Sequence, residues 1–204
     1  WFYFTSVYQL HMKKIFHLNL KLLTILLFTI MSTKTVKASK SNFITLKTSK
    51  GSIVIKTLPK IAPNHVKRIK ELVSSGFYNG IIFHRVIEGF MAQTGDVQYG
   101  NKLQGFSKDR CGMGGSSKSN LKQEFSDIPF DKGILGMARS QDPNSANSQF
   151  FIMLEDGHFL NGNYTVFGKV TRGMNNVHKI KKGNAELNGS VDDPDEIVTA
   201  KIKY

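Results

Sequence analysis

Phe83 to Asp96 reads FHRVIEGFMAQTGD. Its one arginine, Arg85, is set among Phe83, Val86, Ile87, Phe90 and Met91, with Gln93 as its polar neighbour. A guanidinium in apolar company is costly unless something nearby uses its charge. Working outward, Gly133 to Phe151 reads GILGMARSQDPNSANSQFF and ends on Gln149 and Phe151, two residues apart. Residues at that spacing share one side of a strand. The two stretches read together as two walls of one apolar pocket with a single positive donor.

The flanking sequence supplies a scaffold of short strands. Asn42 to Leu58, NFITLKTSKGSIVIKTL, is two alternating segments about Ser49-Lys50-Gly51, the pattern of a hairpin. Pro63 opens a helical spacing of Val66, Ile69, Leu72 and Val73, and Gly76 is placed to end it. Phe77 to Met91 returns to strand-like composition, and further strands are expected near Gly133–Ala138, Gln149–Leu154 and Tyr164–Val170. A second short helix is expected over Met174–Lys181, with Met174, Val177 and Ile180 on one side. The strand Ile197–Tyr204 would alternate Val198, Ala200, Ile202 and Tyr204 on one face. Many short strands with two helices argue for a closed β architecture with helices packed on it. Between them Val97 to Asn120 is rich in Gly, Ser and Lys, and a loop that long is either functional or holds a short strand. Its Gly112-Met113-Gly114-Gly115 lacks both the Gly-Lys-Ser/Thr ending and the strand-to-helix setting of a phosphate cradle, so it reads as turn geometry.

The motifs FHRV, GFM, QTGD, GILGMA, NSQFFI and VFGKV, in this order between about Asn42 and Tyr204, resemble the cyclophilin family of peptidyl-prolyl cis/trans isomerases. The resemblance implies a closed eight-stranded antiparallel β-barrel capped by two α-helices. It also implies an activity, rotation of Xaa-Pro bonds, that requires no cofactor and no metal. By position in the motifs, Arg85 is the implied catalytic arginine and Gln93 and Gln149 the residues that orient it or the peptide carbonyl. Phe90, Met91, Phe151 and Leu160 correspond to the wall of the proline pocket. Phe159 stands beside it where many members have tryptophan, and Tyr164 where many have histidine, as bacterial members often do. Ala138 and Arg139 lie where the family's backbone pairs with an extended substrate, and His84 reads as a pocket-edge or core histidine without the spacing of a metal site. The chain departs from the common pattern at Glu88 for proline, Thr94 for glycine, Arg139 for asparagine, and by one extra residue between Ala138 and Gln149. The Phe159 change removes an indole N–H, so weak binding of cyclosporin is expected.

These residue types suit that chemistry. The barrier to rotating a prolyl amide is about 18–20 kcal/mol because twisting breaks amide resonance. At ~20 kcal/mol the spontaneous rate is on the order of one event per hundred seconds, and reaching ~10³ per second takes roughly 7 kcal/mol of selective stabilisation. No bond is made or broken, so no nucleophile, metal or general base is called for. As the amide twists, its nitrogen regains a lone pair, and a fixed cationic donor beside it gains an interaction absent in the planar state.

The remaining sequence bounds the setting. Residues 1–38 carry Lys13, Lys14, Lys21, Lys34 and Lys37 and no acid, which leaves 23 basic against 15 acidic residues, a net +8, for residues 39–204. The basic side chains are scattered, which reads as a solvated surface and gives no specific nucleic-acid partner. Met12-Lys13-Lys14, the apolar run Leu22–Met31 and Val36-Lys37-Ala38 have the order of a secretory signal peptide cleaved after Ala38. An uncleaved anchor is the alternative, although the run is short of the ~20 residues a span needs. The stretch before Met12 has no interpretable design, and translation starting at Met12 is one reading of it. Cys111 is the only cysteine, with no His or carboxylate motif around it, and reads as a small structural residue. The expectation is therefore an exported, periplasmic, monomeric isomerase acting on unfolded or flexible proline-containing proteins. The alternative is a module that holds proline segments and isomerises them incidentally.

Overall fold

The structure is a computed structural model and describes residues 41–203. The expected leader, its cleavage after Ala38, the start at Met12 and the inward place of Tyr204 lie outside the described residues. Nine strands form one antiparallel sheet: β1 (Phe43–Thr48), β2 (Gly51–Thr57), β3 (Ile81–Ile82), β4 (Arg85–Ile87), β5 (Met91–Thr94), β6 (Ile134–Met137), β7 (Phe150–Met153), β8 (Val166–Arg172) and β9 (Glu196–Lys203). Their order is β3-β9-β1-β2-β8-β6-β7-β5-β4.

The class agrees with the expectation, while the strand count and the closure differ from it. The two end strands, β3 and β4, are halves of one segment interrupted at Phe83-His84. The first half pairs with β9 and the second with β5. The sheet therefore returns to its beginning through the covalent chain instead of through a ladder between β3 and β4.

Strand alternation divides the apolar side chains into two clusters. Phe150, Ile152, Leu135, Ala92, Val86 and Phe167 join the main core with Ile44, Leu46, Ile53 and Ile55. Their neighbours Phe151, Met153, Ile134, Met91 and Val166 face the other way and build a second cluster with Phe130 and Leu160. Each fully buried side chain of this kind contributes about 1.5–3 kcal/mol.

Helix α1 (Pro63–Ser74) buries Val66, Ile69, Leu72 and Val73 as its spacing predicts. Its own cap position, Ala62, offers no side-chain acceptor. The Glu124 carboxylate replaces it, accepting from the backbone N–H of Asn64 at 3.1 Å and of His65 at 3.1 Å. The helix ends with the N–H of Gly76 on the Val73 carbonyl and that of Phe77 on the Leu72 carbonyl, a Schellman closure. Helix α2 (Met174–His178) is shorter than the spacing suggests; Ile180 is buried beyond its end.

The alternation expected of the β9 segment fails at Val198, which is 42% exposed while Ile197 and Ala200 are buried. Lys47 pairs with Thr199 but Thr48 with Ile197, so Val198 is the extra residue of a bulge. Val97 to Asn120 contains no strand, only isolated bridges at its margins. Among the described residues no helix is long and apolar enough to cross a membrane.

Candidate functional site

The β4–β5 hairpin sets Arg85 opposite Gln93 and Ile87 opposite Met91. The β5–β7 ladder then sets Gln93 opposite Phe151 and Met91 opposite Met153. One row thus runs Arg85, Gln93, Phe151 and the row beside it Ile87, Met91, Met153, which is how one cation comes to sit against an otherwise hydrophobic wall. Glu88 and Gly89 form the exposed tip of this hairpin, where the Phe90 N–H reaches the Ile87 carbonyl at 3.1 Å. The turn does not need the proline that Glu88 replaces. Thr94, the other departure nearby, is fully buried and donates its hydroxyl to the Ile82 carbonyl at 2.8 Å, tying β5 to β3.

Arg85 is held at three points. Nη1 donates to Gln93 Oε1 at 3.2 Å, Nε to the Asn188 carbonyl at 3.0 Å and Nη2 to Asn188 Oδ1 at 2.9 Å. Met91 Sδ is 3.9 Å from Nη1. Burial lowers the guanidinium from its ordinary value, yet an arginine so placed stays charged. Asn188 was not legible as a site residue. It arrives because the outer edge of β4 pairs with a distant segment, Val86 N–H to the Gly189 carbonyl at 2.8 Å and Val191 N–H to the His84 carbonyl at 3.1 Å. Its backbone is left-handed, φ 52°. An Asn-Gly pair is a sequence signal for such a turn, but nothing local ties it to Arg85.

Beside the cation lies the apolar seat. Phe130 and Phe151 stack at 5.7 Å between ring centroids, and Tyr164 meets both edge-on at 6.5 and 5.8 Å. Gly136 makes this possible, since a Cβ there would fall 2.4 Å from the Phe151 ring and 2.7 Å from that of Phe130. Phe130 is the second residue the sequence did not reveal as part of the site. Leu160 is buried in the wall, whereas Phe159 is 72% exposed at the rim with its ring 5.3 Å from that of Phe90.

On the far side of Gln93 and Gln149 is a more polar cavity of about 250 Å³, walled by Met113, Ala138, Arg139, Ser145 and Asn147. Gln93 Nε2 donates to Gln149 Oε1 at 3.0 Å, and Gln149 Nε2 donates to the carbonyls of Gly112 and Gly114 at 2.9 and 2.8 Å. Both glutamines line this cavity, and Gln93 also reaches Arg85 beside the seat. The Ala138 N–H is given to the Gln149 carbonyl at 2.9 Å. The Arg139 guanidinium lies 4.4 Å from the centre of the Tyr164 ring and donates to the carbonyls of Asn163, Ser140 and Gln141. It is a fixed wall, its donors spent on backbone.

His84 sits behind Arg85, and neither ring nitrogen makes a hydrogen bond. Burial pushes it down to about 4, with Asp96 opposing and Arg85 adding to the effect, so the ring is neutral at pH 7. Burial pushes the Cys111 thiol up to about 12, in keeping with a structural residue. Among the described residues one grouping has metal-ligand types, Asp131, Asp156 and His158, all exposed. Two of its members are already hydrogen-bonded to each other at 2.8 Å, His158 Nε2 with Asp131 Oδ1.

What this arrangement can do is hold a neutral, proline-like ring against aromatic and thioether groups while presenting N–H donors of fixed orientation to one edge of it. Comparison with known proteins agrees. Residues 43–202 match the family model described as cyclophilin type peptidyl-prolyl cis-trans isomerase. A Brucella abortus protein named "Probable peptidyl-prolyl cis-trans isomerase" is 56% identical over 166 residues, covering 81% of this chain and 85% of that one. Peptidyl-prolyl cis-trans isomerase B of Escherichia coli is 40% identical over 147 residues, covering 68% and 83%. A crystal structure of a Cryptosporidium parvum cyclophilin type peptidyl-prolyl cis-trans isomerase, in the presence of the dipeptide Ala-Pro, superposes with a TM-score of 0.66 at 28% identity, over 79% of this chain and 99% of that one. By its motifs, its sheet and these relatives, the chain belongs to the cyclophilin-type peptidyl-prolyl cis-trans isomerase family.

Proposed function

We propose that this chain, a peptidyl-prolyl cis-trans isomerase by family, turns Xaa-Pro bonds of unfolded or flexible proteins with Arg85 as its catalytic group. The observation that carries the assignment is the three-point anchoring of the Arg85 guanidinium beside the Phe90, Met91, Phe151 and Leu160 wall. A proline ring seated on that wall leaves its nitrogen within reach of the cation. In the planar amide that nitrogen accepts nothing; in the twisted state it accepts a charge-assisted hydrogen bond, so the stabilisation is differential. Gln93 keeps the cation in place, and Gln149 keeps Gln93 in place.

The test is cis/trans exchange of a short Ala-Pro peptide followed by NMR with residues 39–204, as wild type and as Arg85→Ala. Loss of one such donor costs about 10²–10³ in rate. We expect that loss with peptide affinity within threefold of wild type. Equal rates in the two proteins would remove Arg85 from the mechanism. The second reading, a holding module, is favoured by the added polar cavity beside the proline seat, which offers grip without chemistry. Refolding of a proline-limited client separates them: an isomerase loses its effect with Arg85→Ala, a holdase does not.

The leader supports export to the periplasm, and amino-terminal sequencing of the native protein is expected to begin at Ser39. A start upstream of that residue in the mature protein would overturn this part of the reading.

A further inference from the structure

Asp96 closes the motif that opened the sequence reading, and its side chain is completely buried. Among the described residues no lysine or arginine forms an ion pair with it. Four backbone N–H groups do instead: those of Gln98 and Tyr99 donate to Oδ1 at 3.0 and 2.9 Å, and those of Gly112 and Gly114 donate to Oδ2 at 2.7 and 3.0 Å. A carboxylate is an acceptor only, so it can fill this position without orientation error, which an amide cannot. Gly112 and Gly114 are the same residues whose carbonyls receive Gln149 Nε2. The strip is thus gripped by Asp96 on its N–H groups and by Gln149 on its carbonyls. A Cβ at Gly114 would lie 2.4 Å from Asp96 Oδ1, so the carboxylate sits directly on the backbone there.

The polarity of each link then fixes the next. Two carbonyls can be met only by the NH₂ of Gln149, which turns its Oε1 to Gln93; that oxygen can be met only by the NH₂ of Gln93, which turns its own Oε1 to Arg85. Reversing any one amide would set oxygen against oxygen.

We infer that Asp96 is a positioning residue for isomerisation: by anchoring the Gly112–Gly114 strip it sets the amide orientations of Gln149 and Gln93 and so the placement of Arg85. It touches neither substrate nor cation. The inference rests on the isomerase reading given above.

The experiment is a double-mutant cycle on peptide exchange. Asp96→Asn can accept on one side only, so one pair of N–H groups loses its acceptor. Gly114→Ala forces the same strip off the Asp96 carboxylate by steric contact and serves if the first variant does not fold. Each is made alone and in a Gln149→Leu background. In the native background we expect kcat to fall about tenfold with peptide Kd within twofold, and the Gln93 and Gln149 side-chain NH₂ resonances to move to the shifts of mobile amides. In the Gln149→Leu background each change is expected to cost less than twofold, because the relay is already cut. Equal losses in both backgrounds, or unchanged kcat in both variants, would overturn the inference and leave the isomerase reading intact. A wild-type protein without catalysis would overturn that reading, and this one with it.

Discussion

Asn188→Gly isolates one hydrogen bond of the Arg85 guanidinium. Glycine accepts the left-handed backbone at φ 52° without cost and keeps the carbonyl that receives Arg85 Nε at 3.0 Å. Only the Oδ1 contact to Nη2 at 2.9 Å is lost. A hydrogen bond to a charged group is worth about 1.5–3 kcal/mol, and the exposure of Asn188 lets water replace part of it, so the lower end applies. If that bond serves to hold the guanidinium for the twisted amide, about 1–1.5 kcal/mol appears in the barrier, a five- to tenfold fall in kcat. Peptide exchange measured across substrate concentrations separates kcat from KM, and urea unfolding is expected to move by less than ~0.5 kcal/mol for a surface change of this kind. A kcat within twofold of wild type, or a loss confined to KM, would refute the claim that Asn188 orients the cation. Asn188→Leu gives the contrast: it costs the same kcat but adds roughly 1–2 kcal/mol of backbone strain to the folded state.

Three further outcomes are expected. His84 titrates near 4 in the fold against 6.5 when exposed, so the unfolded chain binds its proton first: this contribution to stability is complete above about pH 6.5, falls as the pH drops towards 4 and is constant below. Urea unfolding at pH 7 and pH 4.5 should show an acid loss of at most about 3 kcal/mol that His84→Gln lacks, and an equal loss in both proteins would place the acid sensitivity elsewhere. Glu124→Ala should destabilise by about 2–3 kcal/mol in the same assay, since its carboxylate both caps α1 and meets His65 Nδ1 at 2.6 Å; a change below ~0.5 would show that water replaces it fully. Phe159→Trp should tighten cyclosporin binding by calorimetry about fivefold through one restored N–H donor worth ~1 kcal/mol, and nanomolar binding by the wild-type chain would defeat that account.

The parts of this molecule that follow local periodicity were readable in advance. The β1–β2 hairpin and α1 required only alternation, a turn and a terminating glycine. The pocket residues were readable through their family motifs, and the ladders bring Arg85, Gln93 and Phe151 into one row. What escaped depends on long-range pairing. Asn188 becomes a partner of Arg85 only through the bridge between β4 and the 189–191 segment, and Phe130 becomes an aromatic wall only because Gly136 leaves room. Val198 turned outward because a bulge in β9 interrupts the period of two on which the alternation argument relies. The loop after Asp96 has no periodicity at all; its order comes from a carboxylate and an amide gripping backbone, which no pattern of side chains announces.

The bent segment 81–87 has a kinetic meaning as well. It carries Arg85, yet both of its edges are completed by late sequence: Ile81 by Ile197, and Arg85 by Asn188, 103 positions away. Contacts of such separation close slowly, because chain entropy is lost before they contribute. A nascent chain that has left the ribosome only as far as β8 would contain every residue of the proposed proline seat, and Gln93, and still lack Asn188, which supplies two of the three hydrogen bonds that fix its cation. Catalytic competence should therefore emerge abruptly, with the docking of β9, and not grow with chain length.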